Sequence, residues 1–279
     1  MIIVELFGGL GNQLYQYALG RKLSILNNEL LKLDISFYRI QQHRKYCLKY
    51  FNIVENIASE NEIAALKNST IRHENREISA YIQEKSLEFD KETLAFSGNV
   101  YLSGYWQSYK YFKDVKEILK KEISLKQESD SKNIEMTNKI KSCEAISLHI
   151  RRGDFLGIDN AKVDEIYSLD YHYNAADKIS ASIKNPQFFV FSDDMQWVKK
   201  NFKLKYDMTF VDINNDNKNY EDLNLMSLCK HHIIVNSTFS WWGAWLGENA
   251  DKIVIAPKRW SKCTYTNTDD LLPESWIKL

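Results

Sequence analysis

The segment Ile146–Asp154 reads Ile-Ser-Leu-His-Ile-Arg-Arg-Gly-Asp and continues through Phe155 to Asp159. Apolar residues alternate along it until two adjacent arginines, a glycine and an aspartate end the run. This pattern predicts a buried strand that carries charged groups at its carboxyl end. In open α/β sheets, ligands bind at that end of the strands. The segment therefore predicts a parallel α/β sheet and also the edge where a ligand binds.

The two arginines of this segment need a negatively charged partner. Arg151 and Arg152 keep their charge at neutral pH, and burying either one unpaired is costly. One interpretation is a bound anion, and the alternative is a structural salt bridge to Asp154 or another carboxylate. The neighbouring His149 and the position at a strand end favour the ligand site.

Composition restricts the classes of protein that remain. With 279 residues, of which 44% are hydrophobic, the chain can form one large or two medium domains. Lys plus Arg and Asp plus Glu each total 37, so no net field attracts nucleic acid or an anionic membrane. Any anion site must therefore be local.

Neither a membrane span nor a secretory leader is indicated. No run of about 18 apolar residues occurs, and Met1–Glu5 predicts a first strand instead of a signal peptide. The cysteines are widely spaced, which predicts neither a zinc site nor a disulfide framework. We therefore expect a cytoplasmic protein, with peripheral contact at the inner membrane left open.

A glycine-rich turn follows the first predicted strand, Ile2–Phe7. It reads Gly-Gly-Leu-Gly-Asn-Gln over residues 8–13, and apolar residues at helical spacing follow it, then a second strand near residues 30–34. The turn lacks the third glycine of the dinucleotide fingerprint, and the chain has no Walker-type Gly-Lys-Ser/Thr. Gly9 and Gly11 allow backbone N–H groups to approach a ligand, and Asn12 both donates and accepts. A tight turn that needs a positive φ is the alternative.

The middle of the chain predicts a boundary between two domains. Residues 35–95 are polar and weakly periodic, and residues 100–107 predict a strand that ends in Tyr105 and Trp106. Either ring could stack on a sugar, although core packing is the commoner role of a single aromatic. An amphipathic helix is predicted over residues 109–121. Residues 127–141 are charged and lack aromatics, so we divide the chain into domains 1–137 and 138–279.

The second half alternates regularly between strand and helix patterns, which is typical of a doubly wound parallel sheet. Strands are predicted at 145–150, 187–191, 208–211, 233–235 and 253–255, and helices at 171–183, 195–202, 221–229 and from 239.

Polar residues follow each predicted strand of the second half. Asp193 and Asp194 are expected to cap the helix that begins at Met195, and one of them is a candidate contact to a ribose or guanine edge. We do not predict a metal there, because nearby arginines would perform the same electrostatic task. Ser237 and Thr238 precede a helix whose positive end favours a phosphate, and an N-cap is their alternative role.

Asp222 opens another predicted helix on the same side of the sheet. It is either a capping carboxylate or a partner for guanine, whose N1–H and exocyclic amine present two donors side by side. Trp241 and Trp242 are predicted to lie in the core, and the small Gly243 and Ala244 allow close helix packing.

Three motifs together resemble one family. His-Ile-Arg-Arg-Gly-Asp over residues 149–154 is similar to the His-x-Arg-Arg-x-Asp signature of the α-1,2-/α-1,6-fucosyltransferase superfamily. The glycine turn of residues 8–13 and the Asn-Ser-Thr-Phe-Ser-Trp-Trp of residues 236–242 resemble the first and last motifs of bacterial α-1,2-fucosyltransferases. The likeness extends in order from residue 5 to about residue 247.

The resemblance implies a GT-B-like fold with two Rossmann-like lobes, mostly parallel sheets and a cleft between them. It implies inverting transfer of L-fucose from GDP-β-L-fucose to the 2-hydroxyl of a terminal β-galactoside, in surface polysaccharide or O-antigen synthesis. The N-terminal lobe would then take the acceptor and the C-terminal lobe GDP-fucose. No cofactor or metal is expected, and a lipid-linked acceptor would provide any membrane contact.

The resemblance also assigns roles to residues. It places Arg151 on the β-phosphate, His149 and Asp222 against guanine, the Ser-Thr-Phe segment along the nucleotide, and the glycine loop with Asn12 beside the sugar. Inversion asks for a base opposite the diphosphate, and both Asp154 and Asp159 are candidates. The candidate catalytic residues are Arg151, Asp154, Asp159 and Asn12. The candidate substrate-binding residues are His149, Arg152, Gly9, Gly11, Asp193, Asp222, Asn236, Ser237, Thr238 and Phe239.

Other functions remain open at this point. One alternative is an α-1,6-type or peptide O-fucosyltransferase, and another is a sugar-nucleotide or glycan-binding protein without turnover. The same side chains would serve binding equally well. Release of GDP in the presence of a β-galactoside distinguishes an enzyme from a binding protein.

Overall fold

The computed structural model describes residues 1–41, 43–74, 76–152, 169–260 and 269–279. The chain forms two compact units. The first comprises Met1–Lys126 with the described part of Tyr265–Pro273, and the second comprises Gln127–Thr264 with Glu274–Leu279. In the described ranges, no helix has both the length and the apolar character that crossing a bilayer requires.

The first unit is built on a four-stranded parallel sheet with the strand order β2-β1-β6-β5. The helix Leu10–Asn27 connects β1 to β2, and its Leu14, Tyr17 and Leu23 are fully buried. A separate antiparallel hairpin pairs β3 with β4. The strands are β1 (Ile2–Glu5), β2 (Leu31–Asp34), β3 (Thr70–His73), β4 (Arg76–Ser79), β5 (Tyr81–Gln83) and β6 (Val100–Ser103).

The α-helices of the first unit, besides Leu10–Asn27, are short. Glu60–Lys67 begins with a capping box, in which Ser59 and Glu62 each satisfy the other's backbone N–H. The helix predicted over 109–121 is divided into 3₁₀ turns at Tyr109–Tyr111 and Lys113–Val115 before the α-helix Lys116–Glu122. Phe37–Ile40 forms a single further turn of α-helix.

The second unit is built on a six-stranded parallel sheet with the order β12-β11-β10-β7-β8-β9. Its central strand β7 is buried on both faces, as helix-covered parallel strands must be. The strands are β7 (Glu144–Ile150), β8 (Pro186–Ser192), β9 (Met208–Phe210), β10 (His231–Ile233), β11 (Val254–Ala256) and β12 (Ile277–Lys278). The described α-helices are Ser131–Lys141, Leu169–Ser180, Met195–Asn201, Asn219–Ser227 and Thr238–Leu246.

The division between the units lies at Lys126, earlier than the boundary after residue 137 that the sequence predicts. The charged residues 127–141 predict a boundary between domains, but Ser131–Lys141 is a helix of the second unit. Ile140 is fully buried there against Leu225 and Met226. The parallel sheets predicted for both halves are confirmed.

Candidate active site

Arg151 follows β7 directly, at the carboxyl edge of the second unit's sheet. Its Nη1 donates to Ser237 Oγ at 3.1 Å. Ser237 is the N-cap residue of the helix Thr238–Leu246, yet within the described residues its hydroxyl makes no capping hydrogen bond. The hydroxyl holds the guanidinium beside the helix start, where the helix dipole adds its own positive potential. The arrangement suits a negatively charged ligand group.

Arg152 is held by two aspartates and a tryptophan. Its backbone N–H donates to Asp193 Oδ1 at 2.8 Å, and its Nε donates to Asp194 Oδ2 at 3.3 Å. The guanidinium carbon lies 3.5 Å from the centre of the Trp197 ring, a cation–π contact. Asp194 Oδ1 also accepts from the backbone N–H of Trp197 at 3.2 Å. This hydrogen bond confirms the predicted cap of the helix Met195–Asn201.

These contacts match the structural salt bridge weighed in the sequence, with Asp194 as the carboxylate. They fix the backbone that presents Arg151. The predicted substrate contacts of Arg152 and Asp193 stay predictions. The pairing with Trp197 could not be read from the sequence, because an arginine and a tryptophan so far apart carry no common pattern.

His149 lies in β7, two residues before Arg151, and its side chain is buried. Burial, followed by the charge of Arg151 and the nearby His172, lowers the pKa of His149 to about 3. The imidazole is therefore neutral at physiological pH. No partner among the described residues bonds to its Nδ1, and the Phe239 ring centre lies 6.0 Å from its own. A neutral ring nitrogen in this position can donate to a ligand or accept from it.

Asp222 belongs to a partly buried network with two asparagine amides. Asn214 Nδ2 donates to Asp222 Oδ1 at 2.8 Å, and Asn214 and Asn133 exchange hydrogen bonds of 2.9 Å. The pKa of Asp222 is raised to about 6, chiefly by burial; the Asn214 hydrogen bond lowers it, and the charges of Glu221 and Asp212 add to the rise. Sequence reasoning missed both asparagines, since Asn133 and Asn214 are 81 residues apart.

The helix Thr238–Leu246 is positioned by its small and large residues. Trp241 and Trp242 are fully buried, which confirms their predicted place in the core. A Cβ added at Gly243 would lie 2.5 Å from Met226 Sδ in the helix Asn219–Ser227, so glycine is needed for the approach. Before this helix, Asn236 Nδ2 donates to the Trp260 carbonyl at 3.4 Å.

In the first unit, the glycine turn joins β1 to the helix Leu10–Asn27. Gly8 adopts a positive φ of 78°, as the tight-turn interpretation requires, and Gly9 is the N-cap residue. Asn12 Oδ1 accepts from Gln107 Nε2 at 3.1 Å. Gln13, a residue that sequence reasoning missed, is fully buried and donates to the Gly8 carbonyl at 3.2 Å. Substrate contacts of Gly9, Gly11 and Asn12 stay predictions.

The two candidate bases, Asp154 and Asp159, lie outside the described residues, which resume at residue 169. The choice between them therefore stays open. In the part of the chain that is described, no group of three or more His, Cys, Asp or Glu side chains could hold a metal ion. That activity needs no metal remains a prediction for experiment.

The two parallel-sheet units have the fold of known fucosyltransferases. NodZ from Bradyrhizobium superposes with a TM-score of 0.52 at 13% identity, covering 87% of this chain and 91% of NodZ. A mutant of Arabidopsis thaliana FUT1 in complex with GDP superposes with a TM-score of 0.54 at 12% identity, covering 91% of this chain and 69% of FUT1. The fold class is therefore that of the GT-B-like glycosyltransferases, as expected.

The sequence places the chain within that class. It matches Glycosyl transferase family 11 over residues 1–279, and the chain belongs to this family. An α-1,2-colitosyltransferase of Escherichia coli is 33% identical over 100% of this chain and 99% of its own length. The Escherichia coli O-antigen biosynthesis glycosyltransferase WbnK is 31% identical over 98% of this chain and 99% of its own length. Human galactoside α-(1,2)-fucosyltransferase 1 is 25% identical over 56% of this chain and 45% of its own length.

Proposed function

We propose that this glycosyltransferase moves L-fucose from GDP-β-L-fucose, with inversion, to the 2-hydroxyl of a terminal β-galactoside. The product would be a unit of a surface polysaccharide or O-antigen. The likeness to α-1,2-transferases supports the linkage. Crystals of NodZ soaked with GDP-fucose support a nucleotide-sugar donor for this fold.

The observation that carries the proposal is the position of Arg151. Its guanidinium lies 3.1 Å from Ser237 Oγ, at the start of the helix Thr238–Leu246. The diphosphate gains negative charge as the bond to the anomeric carbon breaks. A guanidinium already in place stabilises that charge without reorganisation, and it can bind two phosphate oxygens at once.

The guanine base is assigned to His149 and Asp222 in this proposal. An ionised Asp222 accepts from the two neighbouring N–H donors of guanine, and Asn214 orients the carboxylate through its 2.8 Å hydrogen bond. His149 is neutral, its Nδ1 has no partner among the described residues, and it supplies one further hydrogen bond. Thr238 and Phe239 would line the nucleotide between base and diphosphate.

Transfer with inversion places the acceptor hydroxyl on the face of fucose opposite the diphosphate. A carboxylate beside that hydroxyl accepts its proton as the new bond forms. Asp154 and Asp159 are the candidates, and the base is the one whose Asn variant turns over slowly while it still binds GDP-fucose normally.

The test of the proposal is an assay with a donor and a panel of acceptors. The purified chain is incubated with GDP-fucose and several β-galactosides in the presence of EDTA, and the product linkage is determined. We expect an α-1,2-linked fucoside whose rate of formation the chelator leaves unchanged. Activity that EDTA abolishes would show that Arg151 does not replace a metal, and absence of any fucoside would refute the donor.

A second donor, GDP-colitose, is favoured by the likeness to the α-1,2-colitosyltransferase. Colitose is L-fucose without the 3-hydroxyl. A site that hydrogen-bonds this hydroxyl rejects the deoxy sugar by roughly 10⁴–10⁵, whereas a site without such a partner discriminates by only about 10². The ratio of kcat/KM for the two donors therefore identifies which sugar the site recognises.

Nucleotide binding should depend on the charge of Asp222. The ionised carboxylate is the form that accepts from guanine, so affinity for GDP should fall as pH drops through about 6, the pKa of Asp222. We expect Asp222→Asn to weaken GDP about tenfold or more at pH 7.5, the cost of losing a charged hydrogen-bond acceptor. Calorimetric titration between pH 5 and pH 8 measures both effects.

The matched control is Asp216→Asn, which removes an exposed carboxylate from the turn before the helix Asn219–Ser227. It should bind GDP like the wild type. Inosine diphosphate lacks the exocyclic amine of guanine, so the wild type should bind it less tightly than GDP. Asp222→Asn should show a smaller difference in affinity between the two nucleotides. Equal discrimination by both proteins would contradict the assignment.

A further inference from the structure

Three carboxylates lie at the carboxyl ends of β1, β2 and β5 in the first unit's sheet. Glu5 accepts from Ser103 Oγ at 2.6 Å, and Asp34 accepts from the Tyr101 hydroxyl at 2.6 Å. Glu84 accepts from the backbone N–H groups of residues 105 and 106 at 2.7 and 2.8 Å. Glu5 and Glu84 are only partly buried and can accept hydrogen bonds from hydroxyl groups, so this edge suits a neutral ligand that carries them.

Tyr105 is displayed at this edge. The residue is 41% exposed, and among the described Phe, Tyr and Trp residues it alone is exposed to this degree. The Phe7 ring packs against it edge-on, with 4.8 Å between ring centres. An exposed ring supported from one side offers a flat apolar surface at low entropic cost, because its position is already fixed.

The backbone beside Tyr105 is strained. Trp106 has a φ of +56° and its side chain is 1% exposed. A bulky residue at positive φ is a conformational outlier, and it persists only where its surroundings impose it. Here Glu84 imposes it by accepting both backbone N–H groups of the turn. The result is that Trp106 lies in the core and its neighbour Tyr105 at the surface.

Gln107 follows Tyr105 by two residues and has spare hydrogen-bonding capacity. Gln107 Nε2 donates to Asn12 Oδ1 at 3.1 Å, and among the described residues this is the hydrogen bond that its amide makes, which leaves Oε1 available. Gln16 ties the two loops of this edge together, since its Oε1 accepts from the Phe7 N–H at 3.1 Å and its Nε2 donates to the Gly104 carbonyl at 3.2 Å. Phe7, Tyr105 and Gln107 are thus held in one fixed arrangement.

We infer that Phe7, Tyr105 and Gln107 form the binding surface for the neutral sugar acceptor. The inference rests on the proposed function and names the acceptor site within it. The axial 4-hydroxyl of a galactopyranoside leaves one ring face made of C–H groups, which stacks on Tyr105, while Gln107 Oε1 accepts from a sugar hydroxyl. A cavity of about 270 Å³ opens beside the same turn, lined among others by Glu84, Trp106 and Tyr111, and would receive the next part of the glycan.

The experiment compares acceptor and donor kinetics in Tyr105→Ala, Tyr105→Phe and Gln107→Ala. We expect Tyr105→Ala to raise the acceptor KM about tenfold, the factor that 1.4 kcal/mol gives, and to leave the affinity for GDP within twofold. Tyr105→Phe keeps the stacking surface and should match the wild type. Gln107→Ala should raise the acceptor KM by a smaller factor, as the loss of one neutral hydrogen bond predicts.

Leu26→Ala is the control, since it truncates another exposed apolar side chain of the same unit. Its acceptor KM should be unchanged, and thermal unfolding of every variant confirms folding. An unchanged acceptor KM in Tyr105→Ala, equal damage in Tyr105→Phe, or a parallel loss of GDP affinity would each overturn the inference.

Direct binding separates this inference from the proposed function. If the wild type transfers no fucose to galactosides, lactose and other neutral oligosaccharides are titrated by ligand-observed NMR without donor. Binding to the wild type that Tyr105→Ala loses supports the surface even then. Failure of the wild type to bind any neutral sugar overturns it.

Discussion

Replacing Arg151 by alanine should lower kcat by about 10²–10³, because one preorganised donor to a developing charge contributes roughly 3–4 kcal/mol to catalysis. Arg151→Lys should recover little of this loss, since an ammonium group cannot bind two oxygens at once. Single-turnover rates with GDP-fucose and a galactoside measure the effect on chemistry apart from product release.

Two further variants test the interpretation of this effect. Arg76→Ala removes an exposed arginine in β4 of the first unit and should leave kcat unchanged. Ser237→Ala should cost less than Arg151→Ala, because it removes one neutral partner of the guanidinium and leaves the charge in place. Turnover near the wild-type rate in Arg151→Ala would remove the basis of the proposed mechanism.

Acid should destabilise the second unit at pH values where carboxylates are still ionised. Burial holds the pKa of His149 at about 3 and that of His232 well below its usual range. An unfolded histidine titrates near 6.5, so above that pH neither state binds the proton. Below it only the unfolded state does, and stability is lost as pH falls.

The size of this effect follows from the same values. Between pH 7 and pH 5, each buried histidine should cost about 2 kcal/mol of unfolding free energy. Asp222 acts in the opposite direction, because its folded pKa of about 6 lies above that of the unfolded chain. Protonation of Asp222 should offset about 1 kcal/mol, so His149, His232 and Asp222 together should account for a loss of roughly 2–3 kcal/mol.

Urea unfolding at pH 7, 6 and 5 measures this loss. His232→Asn removes one of these histidines, so stability should fall by about 2 kcal/mol less between pH 7 and pH 5 than it does in the wild type. The salt-bridged carboxylates do not interfere, since the lowered pKa values of Asp130 and Asp177 act below about pH 4. Constant stability from pH 7 to pH 5 would show that the histidines are not buried as described.

The sequence predicted most of the second unit because its elements alternate in a regular way. β7, β8 and β11 lie within one residue of their predicted positions, whereas β10 is His231–Ile233 instead of 233–235. The apolar run continues past the end of the strand there, so the pattern alone could not place its end.

Predictions failed where the local pattern is weak and packing decides the structure. Tyr81–Gln83 becomes β5 only by pairing with β6, and residues 35–95 gave no periodic signal for it. The helix Ser131–Lys141 is mostly polar, and few of its side chains, such as Ile140, are buried. A charged helix of this kind cannot be told from a linker without knowing what it packs against.

For the site, the sequence identified which strand ends carry polar groups. This step needs only the rule that ligands bind at the carboxyl ends of parallel strands. It could not pair Arg151 with Ser237, or Asp222 with Asn214 and Asn133, since each contact joins residues from different elements. Hydrogen-bond partners across a sheet edge depend on loop conformations, and no spacing in the chain encodes them.

The close approach of Gly243 to Met226 affects the spacing between two groups proposed to bind the nucleotide. The helix Asn219–Ser227 carries Asp222, and the helix Thr238–Leu246 begins at the hydroxyl that Arg151 contacts. The two helices are in contact at a residue without a side chain. Their packing therefore sets the distance between the Asp222 carboxylate and the Ser237 hydroxyl. A single methyl group added at position 243 would push the two helices apart and change the length of ligand that fits between these groups.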